Sequence, residues 1–138
     1  MNTLEQTLWL RAKVLSNLKA YKINKRLKSI AEYTKGIEEE QEKIKHHELE
    51  LTTLNYELAN LDSNHPKYDS HVEKYKNQIE ECQEIINRHN NTIKQLTKNI
   101  EEMNTEVEEW ENGTRKVNLQ EKHTMTEQII KGEKFLNL

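Results

Sequence analysis

The chain has 138 residues, 33% of them hydrophobic and 33% charged, with a mean hydropathy of -1.05 and a net charge of -3. That balance is too polar for a compact globule of this size, yet a heptad seam asks for only two apolar positions in seven, about 29%. The composition points to an elongated all-α protein, and it argues against a sheet, a partner held by bulk charge, an internal disulfide and a zinc site of several thiolates, since the chain has three Gly, one Pro and one Cys.

Thr3 with Gln6 three residues later reads as a capping box, so a first helix is expected over 3–61. Leu4, Leu8, Leu15 and Leu18 form a short apolar stripe at its start. From Ile23 the phase changes. Ile23, Ile30, Ile37, Ile44, Leu51 and Leu58 recur every seven residues, and Arg26, Tyr33, Glu40, His47, Leu54 and Leu61 follow each of them by three. These are the a and d positions of a heptad repeat. Gly36 lies inside it at a cost of about 1 kcal/mol relative to Ala, and the repeat passes through without slipping.

Residues 62–66, Asp-Ser-Asn-His-Pro, are turn formers. A second helix is expected over 66–111, with Val72, Ile79, Ile86, Ile93, Ile100 and Val107 at a and Tyr75, Cys82, His89, Leu96, Met103 and Trp110 at d. A straight helix drifts about 20° per heptad from this repeat, so the pattern implies a left-handed supercoil with a partner helix. So short a turn makes the two helices antiparallel neighbours. Charge agrees: residues 1–35 hold eight Lys/Arg against Glu5 and Glu32, whereas residues 73–111 hold ten Glu against five Lys/Arg. Folding about residue 65 sets the two blocks side by side and brings a residues level with a residues or, after a shift of a few residues, with d residues; either register keeps the hairpin. Residues 112–114 break the pattern at Asn112-Gly113, and a third helix is expected over 115–136, lying against the N-terminal leucine stripe. The whole is one elongated domain over 1–138: a long antiparallel coiled-coil hairpin with a shorter C-terminal helix at its base.

Four groups of residues carry candidate functions. At the base, Trp9, Trp110, Leu4, Leu8, Ile129, Ile130 and Phe135 are candidates for an interface. Arg11, Lys13, Lys19, Lys22, Lys25, Arg26 and Lys28 make a basic patch able to meet a nucleic-acid backbone, although the acidic block opposes much of it. Asp62, His65 and Asp69 cluster at the hairpin tip, where they are also ordinary turn residues. Glu40, His47 and His89 are polar at core positions, where they read first as seam-edge residues that reach water and alternatively as a layer that fixes register or assembly state.

His46, His47 and Glu50 have metal-ligand spacing but no HExxH motif. Cys82 at d reads as a buried, inert thiol. No metal or cofactor is assigned on these patterns. Enzymatic chemistry finds no phosphate-binding Gly loop and no nucleophile elbow. The reading is therefore a non-enzymatic coiled-coil protein that associates with itself, a dimer being favoured, and binds, scaffolds or inhibits a larger protein assembly. The alternatives are a nucleic-acid-associated accessory factor using the basic N-terminal helix, and a purely structural scaffold. No apolar run suits a membrane span or a signal peptide, and the lone cysteine fits the cytoplasm. The abundance of Lys, Asn, Ile and Glu suits a small bacterial or phage accessory protein, the latter acting in a host cell.

Overall fold

The computed structural model describes residues 3–115 and 117–135, without the side chains of Leu119 and Phe135. Leu136, the last residue of the expected third helix, lies outside the described residues, as does the side chain of Phe135. The protein is all-α. Three helices, α1 (Thr3–Ala59), α2 (Tyr68–Asn112) and α3 (Leu119–Phe135), account for its secondary structure, and the described residues contain no strand. Contacts divide them into two units, one of residues 32–100 and one of residues 1–31 with 101–138.

The 32–100 unit is a helical hairpin. Its α1 and α2 segments run antiparallel, because residues advancing along one meet residues receding along the other: Gly36 approaches Leu96, Glu40 meets His89, and Cys82 meets the His47 carbonyl. Protection from solvent on α2 includes Val72, Tyr75, Ile79, Cys82, Ile86, His89, Ile93, Leu96 and Ile100, the a and d positions in alternation, with His71, Ile85 and Asn99 beside them. On α1 it falls at Tyr33, Ile37, Glu40, Ile44, His47, Leu51, Leu54 and Leu58. The meetings of Glu40 with His89 and of Cys82 with His47 join d to d, which is the level register.

The turn between them is held by its own polar side chains. α1 stops at Ala59, where the Asn60 side-chain amide donates to the Tyr56 carbonyl at 2.8 Å. Asp62 Oδ1 accepts the Asn64 N–H at 2.9 Å, and His65 Nδ1 accepts the Lys67 N–H at 3.0 Å. Pro66 therefore sits in the turn, two residues ahead of α2.

In the other unit the α1 and α2 segments are again antiparallel, joined by Lys19 Nζ to the Glu111 carbonyl at 3.0 Å and by Arg26 Nε to Glu106 Oε2 at 2.5 Å. Gly113 ends α2 with φ of 70°, in the left-handed region that favours glycine. The Thr114 N–H then donates back to the Glu109 carbonyl at 2.9 Å, closing a Schellman cap. α3 opens with a reciprocal capping box, in which Asn118 Oδ1 accepts the Glu121 N–H at 2.8 Å and Glu121 Oε1 accepts the Asn118 N–H at 3.2 Å. The other Glu121 oxygen pairs with Lys22 Nζ at 3.2 Å, tying α3 to α1.

α3 does lie on α1, but against a different face from the leucine stripe. Leu10 and Val14 are the buried residues there, whereas Leu4, Leu8 and Leu15 are exposed. At 100° per residue the two sets of side chains lie about a third of a turn apart. The physical reason is at Gly132. A Cβ built on this residue would fall 2.6 Å from a Leu10 methyl, so the missing side chain is what lets α3 come down on Leu10.

Candidate functional site

Two neighbouring core layers of the 32–100 unit are polar. In the first, Glu40 Oε2 and His89 Nδ1 share a short hydrogen bond across the helix pair. One heptad along, the Cys82 thiol donates to the His47 carbonyl at 3.1 Å. The His47 and His89 rings stack with centroids 5.7 Å apart, and His46 meets His47 edge-on at 5.6 Å. His47 Nδ1 also lies 3.3 Å from Glu50 Oε2 on the next turn of α1. The polar layer expected from Glu40, His47 and His89 is thus a contiguous strip, and Cys82 and Glu50 extend it.

Charges in the strip are set by these contacts. The His89 hydrogen bond holds the Glu40 carboxyl below its ordinary value of 4.5; partial burial opposes this and Lys43, 3.4 Å away, adds to it. Burial, followed by the Glu50 charge, pushes the Cys82 thiol above its ordinary value. At the turn end of the unit, the hydrogen bond from the Tyr75 hydroxyl to Glu57 raises the phenol, and desolvation acts the same way.

A group whose folded pKa is depressed stabilises the fold above its unfolded value and loses that contribution as pH falls through the folded one. Glu40 is such a group. The stability difference between wild type and Glu40→Gln is expected to shrink as pH falls below 4.5. Urea unfolding across an acid pH series checks it; a difference that grows on acidification contradicts the pairing.

The other candidates are placed as follows. At the tip, Asp62 and His65 spend acceptors on backbone N–H groups of the turn, and the His65 and His71 rings stack with centroids 5.3 Å apart. Asp69 lies in the first turn of α2. Within the basic patch, Lys19, Lys22 and Arg26 are taken up by Glu111, Glu121 and Glu106, while Arg11, Lys13, Lys25 and Lys28 are exposed. Glu106 is shared further, with Arg115 at 3.9 Å.

Of the interface candidates, Leu4, Leu8, Trp9 and Ile130 are exposed and Ile129 is half-buried. Trp110 is in the core, 4% exposed. An open groove beside the exposed set is lined by Ala12 and Leu15 of α1 and Met125, Ile129 and Ile130 of α3. No helix among the described residues is long and apolar enough to cross a membrane.

Two features escaped the sequence reading. The Asn118-to-Glu121 spacing is a legible capping box, whereas the approach of Cys82 to His47 and Glu50 depends on hairpin register and has no local signal. Comparison with known proteins finds no matching family model, no matching curated protein and no matching solved structure.

Proposed function

We propose that the protein is a non-enzymatic coiled-coil association module, which pairs with a second copy of itself and docks on a larger protein assembly. Support for the coiled coil is the seven-residue recurrence of protected positions in the hairpin unit, since straight helices would carry such a seam away from its partner. The observation that carries the association is the apolar surface of the other unit. Leu4 is 68% exposed, Leu8 55% and Trp9 52%, with Leu15 and Ile130 nearly as open. Leu4, Leu8 and Leu15 fall within one face of α1 about 40° wide, with Trp9 about a third of a turn away, and large aliphatic side chains grouped in this way mark interaction sites.

The basic patch is a weaker basis for function because three of its cations are engaged within the chain. Sedimentation equilibrium tests the proposal. Wild type is expected to sediment as a dimer, and Leu8→Glu combined with Trp9→Glu as a monomer with unchanged helicity. A wild type that stays monomeric, or a charged variant that stays dimeric, would assign these side chains no part in self-association.

A further inference from the structure

Within the described residues, a ring nitrogen of His47, a carboxylate oxygen of Glu50 and Cys82 Sγ all lie within 4.8 Å of one another. They come from two helices, and from three chemical classes of ligand. We propose that they form a binding site for one borderline-soft divalent ion of the zinc class, which clamps α1 to α2 within the hairpin unit.

The geometry comes first. Ligands at about 2.0–2.3 Å in a tetrahedral shell stand roughly 3.3–3.7 Å from one another. Nδ1 and Oε2 are already 3.3 Å apart, and from at most 4.8 Å the remaining separations need to shorten by up to about 1.5 Å. Glu50 supplies that freedom, since its side chain is 53% exposed, while His47 at 23% is held in the seam. Cys82 is 3% exposed, so its sulfur is fixed and screened from solvent. Two anchored donors and one that swings from the rim make a site that is largely formed before an ion arrives.

Ligand chemistry then selects the ion. Thiolate, imidazole and carboxylate together suit zinc and cobalt and disfavour magnesium or calcium, which prefer shells of oxygen alone. Three protein ligands leave a fourth position for water on the side of the exposed Glu50. On binding, the Cys82 S–H bond breaks, a sulfur–metal bond forms and the proton is released to solvent, so the thiol ceases to donate to the His47 carbonyl. The clamp joins His47 and Cys82, 35 apart in sequence on the two arms of the hairpin, and ion binding therefore adds directly to the stability of that unit.

The test uses the full chain with Co2+ as a spectroscopic probe, followed by displacement with Zn2+. Expected is one Co2+ per chain, with a thiolate-to-cobalt charge-transfer band, tetrahedral ligand-field bands, and full displacement by Zn2+. Cys82→Ser and Glu50→Gln are each expected to weaken binding by more than about 100-fold, beyond the loss caused by an outer-shell partner. Glu50→Gln is at the rim and leaves the core intact, so a folding defect in the cysteine variant does not decide the matter. His46→Ala is expected to bind as wild type. The proposal is overturned by a spectrum without the charge-transfer band, by one ion per two chains, or by Glu50→Gln binding as tightly as wild type.

Discussion

Trp110→Ala is expected to lower the unfolding free energy by about 3–5 kcal/mol, the range for deleting a large buried aromatic side chain. The buried apolar side chains described for its unit are Leu10, Val14, Val107 and Trp110 itself. The indole is the largest of these, and nothing else in so small a core is available to fill its place. Its Nε1 is buried and meets no acceptor among the described residues. Trp110→Phe should therefore cost less than its lost volume alone suggests, because it also deletes an unpaired buried donor. Urea denaturation followed by circular dichroism measures both variants. A loss below about 1 kcal/mol for the alanine variant would be too small for a core residue, and the ring would have to sit elsewhere.

The second large effect has the opposite sign. Replacing both members of the cross-helix pair, Glu40→Leu with His89→Leu, is expected to raise stability by about 1–2 kcal/mol. This is the lower end of the gain seen when buried ion pairs give way to apolar residues, because the two side chains are 15% and 22% exposed. His89→Leu alone should rank below wild type, since Glu40 then loses its partner on the other helix.

What the pair supplies instead is register. A heptad seam is nearly self-similar under a slip of seven residues, and the slip would set Glu40 against Leu96 or Cys82. The double variant should accordingly populate more than one assembly state, visible as added species in native mass spectrometry. If it stays a single species and is less stable than wild type, the pair contributes stability and not specificity.

Most of the helix-pair architecture could be read from the residues because a seven-residue period leaves little choice. Once Ile37, Ile44 and Leu51 are assigned to one seam and Ile79, Ile86 and Ile93 to the other, the turn formers at 62–66 determine antiparallel packing, and the opposing charges agree. Arg26 and Glu106 meet as the charge blocks suggested. The N-terminal turns of α1 were not legible in the same way. Two apolar patterns overlap there, one through Leu4, Leu8 and Leu15 and another through Leu10 and Val14, and both include Leu18. Only the close approach at Gly132 decides which one α3 covers. The triad of His47, Glu50 and Cys82 was legible only in its α1 pair, since its third member depends on which d residue of α2 arrives opposite His47.

Glu121 has a consequence for how α3 forms. At 17 residues this helix is near the length at which isolated helices are marginal in water. One oxygen of Glu121 starts it through the Asn118 cap, and the other attaches it to Lys22. Folding of the segment and its attachment are therefore coupled through this carboxylate, beside the packing of Gly132 on Leu10. Covalent neutralisation of Lys22, by acetylation for example, would remove this ion pair and weaken the attachment while leaving the Asn118 cap intact. Because docking supports helicity, the segment would lose order as well as position.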